Sequence, residues 1–198
     1  MTKMIAFDMD GTILNSMPVL EDLAVNVIVE HLKITPTLAH RSYRYTMGKP
    51  FREQLEKMNP DGEMNTYIAN EYEKRHADIA PLFPLAPGVN KKWIMSLGIP
   101  AVLVSSTHRS LIQERIKTVH HIGLRHIGGY SMGHDKKDQL TGYLMAFDVR
   151  PSDALFVGDT ESDRQCAASL GMEYMNVSVE NIVWLVNLRL GLEISYGK

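Results

Sequence analysis

The sequence predicts an α/β fold: a parallel sheet covered on both faces by helices, with a second, all-helical unit inserted after the first strand. Three observations predict it. Three short runs rich in Val, Ile and Phe, MIAF (4–7), AVLV (101–104) and ALFV (154–157), each end at a polar residue or at the Gly158-Asp159 pair. Uninterrupted apolar runs of this kind suit strands buried on both faces. Helical patterns alternate with these runs along most of the chain, and the interval 17–85 breaks the alternation by offering helices alone.

Taken in order, MIAF opens the sheet. Helical spacing of apolar positions then covers VLEDLAVNVIVEHL, TLAHRSYRYTM, PFREQLEKM and EMNTYIANEYEKRHADI, punctuated by Thr35-Pro36, Gly48 and the turn Asn59-Pro60-Asp61-Gly62. Pro81, Pro84 and Pro87 mark an extended return. The domains are therefore expected at 1–16 with 86–198 for the sheet-bearing core, and 17–85 for the helical insertion. Beyond the return, helices are expected at 89–97, 109–119, 139–147, 162–170 and 180–190. AVLV and ALFV are strands, and HIGGYS (126–131) and EYMNV (173–177) are weaker ones.

Bulk properties narrow the function. The chain has 198 residues, a formal charge of -2 and a single cysteine, Cys166. No basic block stands out, which argues against nucleic acid as the partner. One cysteine allows no internal disulfide and fits a reducing compartment. No stretch is long and apolar enough for a membrane span, and the first residues contain two aspartates where a signal peptide needs apolar ones, so a cytoplasmic location is expected.

Chemistry is concentrated where strands end. In open α/β sheets, ligands bind beyond the carboxyl ends of the strands, and Asp8, Asp10, Ser105, Asp159 and Asp163 all fall at or just past such ends. Several carboxylates brought together raise one another's pKa unless a cation joins them. Hard oxygen ligands point to Mg²⁺, and no His or Cys spacing offers a zinc site. The eight histidines, among them His120, His121, His126 and His134, match no ligand pattern and read as surface or loop residues, and the methionines as fillers of core gaps.

In sum, Asp8-Met9-Asp10-Gly11-Thr12 follows the first strand, Ser105 ends VLVSST, a lysine lies in HDKKDQL, and Gly158-Asp159-Thr160-Glu161-Ser162-Asp163 follows a later strand. This order resembles the haloacid dehalogenase (HAD) superfamily of aspartate-nucleophile phosphotransferases. GKPFREQL (48–55) and the return into VLVSST are similar to the branch of phosphoglycolate phosphatases and β-phosphoglucomutases. The resemblance implies a Rossmann-like core with a small helical cap at 17–85. It implies Asp8 as nucleophile, Asp10 as acid and base with its main-chain carbonyl on the metal, Ser105 and a lysine as phosphate ligands, and Mg²⁺ held by Asp8, Asp10, Asp159 and Asp163. Lys136 is favoured over Lys137, because its interval to Asp159 and the inward place it gives Leu140 match compact members.

Gly11 is expected to let the backbone approach the phosphate, Thr12 to satisfy nearby backbone, and Ser106, Lys49 and Arg52 to contact substrate. Arg41 and Arg44 are further cap candidates. The mutase pattern has an arginine three residues after the glycine, where this chain has Phe51; Arg52, four after, is closer to the phosphatase pattern. The leading expectation is a Mg²⁺-dependent phosphatase of a small phosphorylated metabolite, working through an aspartyl phosphate. A phosphomutase, a phospho-acceptor signalling domain and a non-catalytic binding protein are the alternatives. Asn15-Ser16, where much of the branch has Asp-Ser, is a departure without an assigned consequence.

Overall fold

The computed structural model describes residues 1–79, 83–112, 121–124, 126–131 and 134–192. Its elements are β1 (Met4–Asp8), α1 (Met17–Leu32), α2 (Pro36–Thr46), α3 (Phe51–Met58), α4 (Asn65–Ile79), α5 (Lys91–Ser96), β2 (Ala101–Val104), β3 (His126–Ile127), α6 (Lys136–Ala146), β4 (Ala154–Gly158), α7 (Glu161–Leu170), β5 (Glu173–Asn176) and α8 (Ile182–Leu190). The five strands form one sheet in the order β3-β2-β1-β4-β5, parallel throughout.

The central strand shows why the apolar runs lack alternation. Ile5 and Phe7 pack on one side with Leu103, Leu155, Trp93, Ile94 and Val186, so α5 and α8 cover that face. Met4 and Ala6 pack on the other with Val102, Phe156, Leu140, Leu144 and Ala167, so α6 and α7 cover that one. Side chains of a strand alternate between faces, and here both faces are interior. Trp93 fastens α5 to α8, its indole Nε1 donating to Asn187 Oδ1 at 2.9 Å.

Between β1 and α5 the described residues hold α1 to α4, which enclose their own apolar cluster of Ala24, Ile28, Ala39, Leu55 and Ile68. Chain leaving the sheet and chain returning to it run side by side. Asn15 N donates to Pro84 O at 2.9 Å and Ala86 N to Ile13 O at 2.8 Å.

Several boundaries differ from expectation for local reasons. The helix expected at 139–147 starts at Lys136, because the Asp135 side chain caps Asp138 N and Asp138 caps back. The helix expected at 89–97 is confined to 91–96, with Asn90 as its cap. The strand expected over 126–131 ends at Ile127; beyond it Tyr130 bonds the loop after β2, its N donating to Thr107 O at 2.9 Å. Of the helix expected at 109–119, residues 109–112 are helical and the rest lie outside the described residues.

Candidate active site

Strand register assembles the acidic residues. Asp8 lies beside Val104 of β2, so Ser105 emerges one residue beyond it. Phe7 lies beside Val157 of β4, which brings Gly158 level with Asp8 and Asp159 just past it. Carboxylate oxygens of Asp8, Asp159 and Asp163 lie within 4.8 Å of one another. Lys136, at the start of α6, reaches into this group: Nζ donates to Asp8 Oδ1 at 2.8 Å and to Asp163 Oδ1 at 2.6 Å. Lys137 is exposed.

Burial shapes the electrostatics. It pushes the Asp8 carboxyl well above the ordinary aspartate range, Asp163 and Asp159 push the same way, and Lys136 opposes them. Burial and Asp163 lift Asp159 to about 6 against Lys136 and the Thr12 hydrogen bond. Burial alone would lower Lys136, but the charges of Asp163 and Asp8 outweigh it, and the ammonium is held cationic. One lysine thus faces three carboxylates. The donor set, all hard oxygen, fits a divalent cation of the Mg²⁺ type.

Asp163 is the most committed of the three. Its Oδ2 accepts from Thr160 N at 3.1 Å and Thr160 Oγ1 at 2.6 Å in the capping box of α7, while Oδ1 takes Lys136. Thr12 departs from its expected backbone role, since its hydroxyl donates to Asp159 Oδ1 at 3.1 Å. Gly11 serves space more than hydrogen bonding. Its N–H is engaged by Leu14 O at 2.9 Å, its φ is +83°, and a Cβ there would sit 2.4 Å from Asp159 Oδ2.

Asp10 stands outside the three-carboxylate group. Ser16 Oγ donates to its Oδ1 at 2.6 Å and Thr107 Oγ1 to its Oδ2 at 2.8 Å. Ser16 is the residue that the Asn15-Ser16 pair shares with the branch, so this contact leaves the departure at Asn15 without an assigned consequence. Ser105 Oγ accepts from Thr107 N at 3.0 Å, which leaves the Ser105 hydroxyl hydrogen for another acceptor. The Ser106 hydroxyl donates to Gly48 O at 2.7 Å and so meets the helical segment.

A cavity of about 210 Å³ opens over Asp8, Asp10, Ser105 and Lys136, roofed by residues of α2, α3 and α4. Lys49 and Arg52 line it, whereas Arg41 and Arg44 do not. Arg44 instead pairs with Glu21 across α1 and α2. Burial lowers Lys49 from the ordinary lysine range, and Lys57 adds to this.

Sequence reasoning missed other lining residues. His76, expected at the surface with the other histidines, is only 2% exposed and lies between the rings of Tyr72 and Phe83, at 5.4 and 6.1 Å. Tyr43, Tyr72, Glu73 and His108 also face the cavity. The helical period of α4 places Tyr72 and His76 on one face, a signal present in the sequence that attention to charged residues passed over.

The comparisons with known proteins agree with this geometry. The profile of haloacid dehalogenase-like hydrolases matches residues 5–177. The chain is 26% identical over 192 residues to a phosphoglycolate phosphatase of Pseudomonas savastanoi pv. phaseolicola, covering 89% of this chain and 69% of that protein. A haloacid dehalogenase-like family hydrolase from Streptococcus pneumoniae superposes with a TM-score of 0.72 at 19% identity, over 97% of this chain and 92% of that one. A Bacteroides fragilis protein assigned as a haloacid dehalogenase-like hydrolase gives 0.73 at 20% identity, over 91% and 89%. The chain belongs to the haloacid dehalogenase-like hydrolases. Among the described residues, no helix is long and apolar enough to cross a membrane.

Proposed function

We propose that the chain is a Mg²⁺-dependent phosphatase of a small phosphorylated metabolite, with Asp8 as nucleophile and an aspartyl phosphate as intermediate. The observation that carries this reading is the clustering of the Asp8, Asp159 and Asp163 carboxylates, with Lys136 bonded to Asp8 and Asp163, beside a cavity lined by Asp8 and Lys136. Asp8 and Asp159, with the main-chain carbonyl of Asp10, would hold the cation, and Asp163 would act on it through water, since Lys136 and Thr160 occupy its oxygens. When bound, the cation would offset the crowded negative charge and stabilise charge on the phosphoryl oxygens.

An oxygen of Asp8 attacks phosphorus, the bond to the leaving oxygen breaks, and Asp10 gives that oxygen its proton. Water then attacks phosphorus, Asp10 takes a proton from that water, and the bond from phosphorus to the Asp8 oxygen breaks, releasing inorganic phosphate and the Asp8 carboxylate. Ser105 donates to a phosphoryl oxygen, and Lys136 neutralises charge on Asp8 and the phosphoryl group. The helical segment 17–85 acts as a cap domain on the core of 1–16 and 86–198. It closes over the cavity, excludes water and contacts the leaving group through Lys49 and Arg52. Phe51, at the mutase arginine's place, stacks on Tyr72 at 4.0 Å, which supports hydrolysis over transfer to a second sugar oxygen.

A panel of phosphorylated metabolites, assayed for phosphate release with Mg²⁺ and with EDTA, tests this. The name of the Pseudomonas relative makes phosphoglycolate its first member. Release should require the metal and vanish in Asp8→Asn, with the circular dichroism spectrum unchanged. Undiminished release by that variant would sink the nucleophile assignment.

A further inference from the structure

Gln139 of α6 does not line the cavity and has no part in the steps above, yet it is only 4% exposed. Both ends of its amide address one residue. Nε2 donates to Ser105 O at 3.0 Å, and Oε1 accepts from Ser105 N at 3.1 Å. These are the groups that β3 would have satisfied had it continued beside β2. The two strands pair as far as Leu103 and Ile127, Gly128 N donates to Leu103 O at 2.8 Å, and the chain then turns away. Gly128 leaves room for the substitute: a Cβ there would lie 2.4 Å from Gln139 Oε1, and its next nearest atoms are also those of Gln139.

Lys136 lies one turn earlier on the same face of α6, and Thr107 links Ser105 Oγ to Asp10. We propose that Gln139 is a positioning residue: its amide replaces the absent strand backbone and fixes the Ser105 hydroxyl relative to the Lys136 ammonium. This rests on the phosphatase reading, in which both groups meet the transferring phosphoryl. Phosphoryl transfer is catalysed almost entirely by positioning and by electrostatic stabilisation of its transition state, so misplacing those donors lowers kcat more than it raises KM.

The experiment combines Gln139→Ala, Ser105→Ala, the double variant and Gly128→Ala. It measures kcat and KM for p-nitrophenyl phosphate with Mg²⁺, and vanadate affinity by calorimetry. Gln139→Ala should lower kcat about 10- to 100-fold, leave KM within about threefold, and weaken vanadate binding. In the Ser105→Ala background the same change should cost less, because its route of action is already gone. Gly128→Ala should slow the Gln139 enzyme and have little further effect once Gln139 is alanine.

Unchanged kcat and vanadate affinity in Gln139→Ala, or full multiplication of its loss with that of Ser105→Ala, would overturn the positioning role. Should Gln139→Ala fail to fold, unaltered kcat in Gly128→Ala overturns it instead. A wild-type chain that binds vanadate but releases no phosphate refutes the phosphatase reading, and the vanadate arm still decides the role of Gln139.

Discussion

Asp8 and Asp10 are two residues apart in sequence and meet different neighbours. Asp8 is buried against Lys136 and two further carboxylates, whereas Asp10 is held by two hydroxyls, those of Ser16 and Thr107. Hydroxyl donors fix a carboxylate in place, a setting that suits the proton exchange proposed for Asp10. Thr107→Val keeps the shape and removes the donor to Oδ2. It should lower kcat about tenfold through misplacement of the acid, at a stability cost of about 1 kcal/mol, read from steady-state kinetics and a urea melt. Equal kcat in the variant would detach Thr107 from the chemistry. The candidate carboxylates were legible because they fall at strand ends, and Lys136 was favoured over Lys137 only through the resemblance to compact family members. Thr107, Ser16 and Gln139 were not legible, because hydroxyls and amides near strand ends serve equally as turn formers, and only the three-dimensional path shows which carboxylate or backbone group they reach.

At the scale of elements, α1 and α2 are joined by a polar cluster. Glu21 of α1 meets His40 Nδ1 at 2.9 Å and the guanidinium of Arg44, both from α2. Burial pushes the Glu21 carboxyl upward, but the hydrogen bonds and charges of Arg44 and His40 outweigh it and hold the group below the ordinary glutamate range. A folded-state pKa below the unfolded one contributes stability above the unfolded value of about 4.3, and that contribution is lost as pH falls through the folded value. Glu21→Gln should therefore be less stable than wild type at neutral pH, and the gap should close in acid as the wild-type carboxyl protonates. Urea melts across pH 3 to 7 measure it, and a gap independent of pH would contradict the assignment. The elements themselves were largely legible: apolar runs of four residues marked β1, β2 and β4, since burial on both faces removes all polar positions. β3 was overestimated because HIGGYS carries strand-forming residues, while Gly128 and Gly129 let the chain turn away after Ile127. The start of α6 was placed late because its first turn, Lys-Lys-Asp, is polar and its cap, Asp135, is recognised by partner geometry alone.

At the scale of the molecule, the helical segment and the sheet meet through a narrow loop. Gly48, at φ +84°, packs where a Cβ would come within 2.4 Å of Thr160 Oγ1 and 2.7 Å of Ser162 Cβ, and its carbonyl accepts the Ser106 hydroxyl at 2.7 Å. The loop thus touches the chain beyond β2 and the chain beyond β4, with Lys49 and Arg52 following it into the cavity wall. The sequence marked Gly48 as a turn, but its contacts depend on how the segment folds back, which no local pattern encodes. Gly48→Ala introduces both a strained backbone, about 1 kcal/mol or more for an L-residue in this region, and a clash with Thr160. Met47 and Phe51, on either side, pack with the cluster of α1 to α4, whereas the clash is with Thr160 and Ser162 beyond β4, so the strain is best relieved by moving the loop away from the chain beyond β4. Lifting it withdraws Lys49 and Arg52 from the cavity wall while Asp8, Asp10 and Lys136 keep their places. The expected result is a KM raised about tenfold for the preferred substrate, a smaller effect on p-nitrophenyl phosphate, and secondary structure unchanged by circular dichroism. An equal loss on both substrates would place the damage among Asp8, Asp10 and Lys136 and refute a role for this contact in seating the helical segment over the cavity.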